Sequence, residues 1–183
     1  MKDHEDLARG WWRKGDSDLD NARMCADAGR ALDTACFHAQ QAAEKYLKAY
    51  LSLKRVNFPH LHNLAALVEI CKGEDDTFGE IREAAETLTP YAIEARYDDD
   101  FWPNLETTLK ATTLAGEIGA FILLRVPVAF RDSLGKGAEG AQPSFAALRA
   151  KEPSPSYMTK PARKPATAGR TRRTGLAKSR KAH

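Results

Sequence analysis

The sequence is poor in cysteine and lacks the glycine-rich loops that hold phosphate. The three cysteines are odd in number and form no C-x-x-C pair, so neither a disulfide framework nor a zinc site is indicated. We interpret Cys25, Cys36 and Cys71 as small buried apolar residues. Neither G-x-x-x-x-G-K-S/T nor G-x-G-x-x-G is present. The segment "DSDLDN" at 16–21 opens like a calcium loop, but Asn21 stands where that loop needs glycine. We therefore expect no metal and no cofactor.

Long hydrophobic runs are also missing. The most apolar stretch, "IGAFILLRVPVAF" at 118–130, contains Arg125 and Pro127 and is too short and too interrupted to cross a bilayer. Residues 1–10 carry five charged side chains and no apolar run, so no signal peptide is indicated. We expect a cytoplasmic protein without membrane contact.

Charge is distributed unevenly along the chain. Residues 1–130 hold 15 Lys and Arg against 22 Asp and Glu, whereas residues 131–183 hold 13 against 3. From residue 153 onwards there is no acidic residue, and an unopposed basic run attracts RNA or other polyanions without sequence preference. The alternative is that this segment folds back on the acidic part or only aids solubility. The basic residues concerned are Lys160, Arg163, Lys164, Arg170, Arg172, Arg173, Lys178, Arg180 and Lys181.

Apolar residues recur every three or four positions over the first 127 residues, which predicts helices and no strand. The expected helices run from about 5 to 28, 33 to 54 and 61 to 70, from 78 to the region of Pro90 and beyond, and from 104 to 125. Residues 131–183 are rich in Gly, Pro, Ser, Ala, Lys and Arg and cannot bury enough surface to order. The predicted fold is all-α: an antiparallel four- to five-helix bundle over 1–130, followed by a disordered basic tail over 131–183.

Local signals place the helix ends. Gly29 ends the first helix, Asp33 is the expected N-cap of the second, Thr77 with Glu80 fits a capping box for the fourth, and Asn104 caps the fifth. The periodicity predicts these core residues: Trp11, Trp12, Leu19, Ala22, Ala26, Cys36, Ala39, Ala43, Tyr46, Leu47, Tyr50, Leu64, Leu67, Val68, Leu105, Leu109, Ile118, Ile122 and Leu123.

Four polar side chains lie along one side of the second helix, beside its apolar stripe. His38, Gln41, Lys45 and Lys48 are spaced by three, four and three residues, which brings them onto one face. Such a face either meets water or binds a ligand. The helical spacing does not separate the two interpretations.

Four segments in this order make the chain, from about residue 8 to 125, resemble the HEPN family, named for nucleotide binding in higher eukaryotes and prokaryotes. They are "WWRKGDSDLDNA" near the start, "CFHAQQAAEKYLKAYL" on the second helix, "FPHLHNL" before the third, and "EARY" after the fourth. The resemblance implies a helical bundle that often forms a homodimer. It also implies a frequent partner, a minimal nucleotidyltransferase, in toxin and antitoxin modules.

Many members of that superfamily are metal-independent ribonucleases with an Arg, four to six other residues, and then a His. The imidazole moves the proton of a ribose 2′-hydroxyl and the guanidinium stabilises phosphate charge. The resemblance assigns the Arg to Arg96, but positions 101–103 are Phe, Trp and Pro, and three aspartates at 98–100 would repel an RNA backbone. The bare pattern recurs at Arg55 with His60 and His62, in the loop before the third helix. We expect a binding protein rather than a nuclease.

If a nucleotide or RNA binds, we expect Arg96 to contact phosphate, Tyr97 to stack, and His38, Gln41 and Lys45 to lie nearby. The alternative for Arg96 is a structural role, paired to a neighbouring aspartate. Two rival functions stay open. One is a metal-independent ribonuclease that uses Arg96 with His38 or His62 supplied across a dimer, and the other is a protein-interaction module whose nucleic-acid contact is the tail.

Overall fold

The computed structural model describes residues 3–59 and 62–135, and the predictions for the tail fall almost entirely on residues outside these ranges. Within them there are seven α-helices, one 3₁₀ helix and no strand, which confirms the all-α fold. The helices are α1 (His4–Ala28), α2 (Leu32–Leu53), α3 (Leu64–Lys72), the 3₁₀ helix Asp76–Ile81, α4 (Arg82–Leu88), α5 (Tyr91–Tyr97), α6 (Leu105–Leu123) and α7 (Val128–Gly135).

The turn between α1 and α2 is sharper than the sequence suggests. Gly29 ends α1 as predicted, in the left-handed region at φ 61°, where glycine carries no Cβ penalty. The predicted N-cap Asp33 is wrong, because α2 begins one residue earlier and Ala31 is its N-cap, at φ 51° and without a side-chain hydrogen bond. The tight connection lets α1 and α2 form the largest helix–helix contact of the described residues.

Helix α2 is the centre of the bundle, with neighbours α1, α3, α4, α5 and α6. Its predicted apolar stripe is buried throughout, and Ala35, Ala42, Ala49 and Leu51 are buried as well. Small side chains on so many sides allow several helices to approach one axis closely, which explains why an alanine-rich segment forms the core.

Two predicted helix starts are corrected. Asn63 caps α3, with its side chain accepting a hydrogen bond from Ala66 N–H at 2.9 Å, so the helix begins later than expected. The capping box at Thr77 is not formed, because the 3₁₀ helix begins at Asp76, two residues before the predicted start at 78, and Asp75 accepts hydrogen bonds from the Thr77 N–H and hydroxyl. An acidic run supplies several candidate caps, and backbone geometry selects among them.

Pro90 divides the predicted fourth helix into α4 and α5, since proline fits the start of a helix but not its interior. Asn104 caps α6 as predicted, with a 2.8 Å hydrogen bond from Thr107 N–H. Helix α7 was not predicted. It buries Phe130, and residues 131–135, which we expected to be disordered, are helical.

Most of the predicted core is buried, with four exceptions. Leu105 and Leu109 are 44% and 46% exposed, so their assignment to the core is wrong, while Trp11 and Leu123 are half-buried and pack against the core. Cys36 and Cys71 are buried, and burial raises the pKa of both thiols, which fits packing residues rather than nucleophiles. No helix in the described ranges is long and apolar enough to span a membrane.

Candidate functional site

The polar stripe of α2 is largely engaged with other parts of the protein. Nδ1 of His38 lies 2.9 Å from one oxygen of Asp18 on α1, and Nζ of Lys45 donates to the other oxygen of the same carboxylate. Both α2 side chains are mostly shielded from solvent. The acidic segment at 16–21 thus supplies the carboxylate that joins α1 to α2 through two side chains that we predicted as ligand neighbours.

Gln41, the third predicted neighbour, leads into a buried polar network. Its amide donates to the Gln40 side chain at 2.7 Å, and Gln40 donates to the Glu44 carboxylate at 3.2 Å. Glu44 also accepts from Lys48 Nζ at 2.7 Å and lies 3.1 Å from Nδ1 of His62. This network was not predicted, although the spacing of Gln40, Glu44 and Lys48 by four residues places them on one side of α2.

The burial of this network makes the pairing important. The side chains of Glu44 and Lys48 are only 5% and 6% exposed, and the Lys48 ammonium also lies 5.5 Å from the centre of the Trp11 ring. The His62 side chain, by contrast, is 65% exposed. A buried carboxylate therefore holds an exposed imidazole at one edge of the bundle. The neighbouring residue Asn63, not His62, caps α3.

Arg96 lies at the last turn of α5 with its guanidinium positioned by neighbours on two sides. Nε donates to the carbonyl oxygen of Ala92 at 2.9 Å, and Cζ lies 5.0 Å and 5.1 Å from the ring centres of Phe37 and Tyr97. Over residues 3–59 and 62–135 it forms no ion pair, so the structural alternative in which an aspartate neutralises it is not observed. The guanidinium is held in place, and its Nη groups stay available to an external acceptor.

Two exposed aromatic residues follow Arg96 closely in the sequence. Tyr97 is 74% exposed and Trp102 is 79% exposed. The Trp102 indole N–H donates to the carbonyl oxygen of Asp99 at 2.9 Å, which fixes the ring outside the core. Trp102 was not predicted as a site residue, although an exposed tryptophan after an arginine and a tyrosine is a usable signal for stacking.

The two histidine candidates differ in their relation to Arg96. The His38 ring lies 5.5 Å from the Phe37 ring that also contacts Arg96, while its Nδ1 is directed to Asp18 on α1. No contact between Arg96 and His62 is found in the described part of the chain, and His60 lies outside it. Arg96 contacts Phe37 and Tyr97, and we name these three residues, together with Trp102 of the segment after α5, the α5 surface.

The chemical capacity of the α5 surface follows from these groups. It offers one cation, two exposed aromatic faces and the carboxylates at 98–100, but no imidazole within hydrogen-bonding distance of Arg96 among the described residues. Binding and stacking are within its means, whereas proton transfer needs a group from elsewhere. No group of three or more His, Cys, Asp or Glu side chains in the described ranges is arranged to hold a metal ion.

Comparisons with known proteins agree with this architecture. The family model of the HEPN domain matches residues 8–125. The crystal structure of TT1696 from Thermus thermophilus is similar with 29% sequence identity and a TM-score of 0.58, covering 65% of this chain and 98% of that one. The structure of ST0689, an archaeal HEPN homologue, has 22% identity and a TM-score of 0.54, covering 69% of this chain and 100% of that one, which supports the fold alone. A search of the curated proteins found no match. The predicted resemblance is confirmed, and the chain belongs to the HEPN domain family.

Proposed function

We propose that this protein binds a nucleotide, free or within RNA, at the α5 surface and does not cut it. The observation that carries the proposal is Arg96: an exposed guanidinium, fixed between two aromatic rings and by a backbone carbonyl, without an ion pair in the described residues. Because the side chain is already ordered, little rotamer entropy is lost when it binds a phosphate.

The aromatic neighbours suit the base of a nucleotide. An exposed aromatic face stacks with any base and contributes about 1–3 kcal/mol per base. Trp102 is fixed by its hydrogen bond to Asp99, and Tyr97 shares the Arg96 guanidinium, so both faces are positioned before a ligand arrives. The carboxylates at 98–100 oppose a long phosphate backbone. These features favour one nucleotide unit over an extended RNA contact.

His38, Gln41 and Lys45 stay predicted neighbours of the ligand. His38 is the best placed of them, since it shares the Phe37 ring with Arg96. Lys45 and Gln41 would have to leave Asp18 and Gln40, respectively, before they could bind phosphate. Their contribution should therefore be smaller than that of Arg96.

The ribonuclease hypothesis is kept as a second candidate because of His62. Its Nδ1 is held by the buried Glu44 carboxylate while most of the ring is exposed, and an imidazole oriented in this way can accept a proton at Nε2. To act on RNA bound at Arg96, His62 would have to come from a second copy of the chain, and His38 would have to leave Asp18 or come from that copy as well. A homodimer, a minimal nucleotidyltransferase partner and a toxin–antitoxin role are parts of the proposal that the family suggests.

Tryptophan fluorescence provides a direct test in the full-length protein. Trp12 is 4% exposed and Trp11 is half-buried, so quenching by added AMP or by a short single-stranded RNA reports mainly on Trp102. We expect saturable quenching that disappears in Trp102→Phe. Arg96→Gln should weaken binding by about 10- to 100-fold, the loss of a charge-assisted hydrogen bond.

The matched control is Arg13→Gln, which removes another exposed arginine without an ion pair in the described residues. It should bind like the parent. Equal affinity of the parent and Arg96→Gln would contradict the proposal. A variant with glutamine at all nine basic tail positions tests the interaction-module hypothesis. If this variant no longer binds RNA, and AMP does not quench the fluorescence of the parent, the nucleic-acid contact belongs to the tail.

A further inference from the structure

A groove of about 430 Å³ lies between α1, α6 and α7, and none of the α5 surface residues lines it. Its volume falls within the range of small-molecule sites, about 300–1,000 Å³. Leu19, Leu123 and Leu134 contribute apolar walls from the three helices. Gly116 leaves room for the Arg23 side chain, since a Cβ there would lie 3.3 Å from Nη2 of Arg23.

Two arginines from different helices line this groove. Arg23 comes from α1 and is exposed, and Arg131 comes from α7 and is half-buried. Neither forms an ion pair with any residue in 3–59 or 62–135. Guanidinium groups bind carboxylate and phosphate oxygens through paired N–H donors, so two of them beside apolar walls favour an anionic ligand.

The one carboxylate that lines the groove is already engaged. Asp16 accepts a 2.9 Å hydrogen bond from the Tyr46 hydroxyl, whose ring forms part of the floor. Burial, followed by the Asp16 charge, raises the pKa of Tyr46, so its hydroxyl stays protonated at neutral pH and keeps donating. Two guanidinium groups against one carboxylate leave the lining with net positive charge.

We propose that this groove binds a small organic anion with an apolar body, whose oxyanion contacts Arg23 and Arg131 while its apolar part lies on the leucine walls. The groove is too small for a folded partner. The chain's own segment after α7 is an unfavourable occupant, because 12 Lys and Arg against 2 Asp and Glu over residues 136–183 give it the same sign of charge as the lining.

The probe for this site is 8-anilinonaphthalene-1-sulfonate, an aromatic anion that fluoresces when shielded from water, titrated into the full-length protein. We expect one saturable site. Arg23→Gln and Arg131→Gln should each weaken it by about tenfold or more, while Arg13→Gln leaves it unchanged. Octanoate should displace the probe and octanol should not, because the alcohol lacks the oxyanion.

A blocking variant keeps the test independent of charge. Ala120 lines the groove from an exposed position on α6, so Ala120→Phe should fill the groove without disturbing the core and abolish probe binding. Absence of a saturable site in the parent would overturn the proposal. So would unchanged binding in both arginine variants, or displacement by octanol as effective as by octanoate. A groove variant that loses probe binding but still binds AMP would show that the groove and the α5 surface are separate sites.

Discussion

Replacement of Gly15 by alanine tests the packing that holds α1, α2 and α6 together. An ideal Cβ at Gly15 would lie 2.7 Å from Cε1 and 2.9 Å from Cδ1 of Tyr46, against a favourable carbon separation of about 3.5–4.0 Å. The Tyr46 ring cannot retreat easily. A Cβ at Gly119 on the other side would lie 3.0 Å from it, the Trp12 ring centre is 4.5 Å away, and the hydroxyl is bound to Asp16.

The expected effect combines two opposing contributions. Alanine is a better helix former than glycine by about 0.5–1 kcal/mol, whereas overpacking of a close-packed core costs about 1–3 kcal/mol. Gly10 on the same helix is the matched control, since no atom would lie within 4 Å of a Cβ at that position. Gly10→Ala should stabilise the protein, and Gly15→Ala should be less stable than Gly10→Ala by about 1–3 kcal/mol.

Urea unfolding followed by far-ultraviolet circular dichroism measures both free energies of unfolding. A further arm replaces Tyr46 by leucine. If the Tyr46 ring is the obstacle, Gly15→Ala should lower the free energy of unfolding less in the Tyr46→Leu protein than in the parent. The double-mutant cycle measures this difference as the coupling energy between the two positions. Equal stabilisation by Gly10→Ala and Gly15→Ala would refute the reasoning.

Three other substitutions probe local features. Glu44→Gln leaves the Lys48 ammonium buried and unpaired and should lower the free energy of unfolding by about 3–5 kcal/mol, whereas Glu44→Gln with Lys48→Met should recover much of the loss in the same urea assay. Ala31→Gly removes a side chain from a left-handed backbone and should raise the melting temperature; a decrease would argue against strain there. The hydrogen bonds from Thr77 lower the pKa of Asp75 below its ordinary 3.8, so the stability from Asp75 is present above about pH 4 and lost as the pH falls through the lowered pKa. Asp75→Ala should therefore reduce the melting temperature at pH 7 and have a shrinking effect toward pH 2, and a constant difference over that range would contradict this assignment.

The sequence predicted those parts of the fold that depend on local chemistry. Gly29 ends α1 and Asn104 caps α6 because both signals act through the backbone next to them. Periodicity also located the buried stripe of α2. It failed at Leu105 and Leu109, since a period indicates which residues share a face but not whether another helix covers that face.

The candidate site was predictable only in part. Arg96 and Tyr97 were identified through the family resemblance, and in the structure the Arg96 guanidinium lies 5.1 Å from the centre of the Tyr97 ring. The engagement of Lys45 by Asp18 and the burial of the Glu44–Lys48 pair were not predictable from spacing, because both depend on which helices meet. Polar residues at helical intervals have the same pattern whether they face water, a ligand or a buried partner.

The central claim is that Arg96 binds phosphate without cleaving RNA. The most direct measurement incubates labelled structured RNA, without added metal, with the parent and with Arg96→Ala, and compares retention on the protein with product length on a denaturing gel. We predict full-length RNA in both samples and weaker retention by Arg96→Ala. Cleavage by the parent that disappears in Arg96→Ala, under conditions where a control nuclease cuts, would contradict the claim and establish a ribonuclease that takes its base from elsewhere.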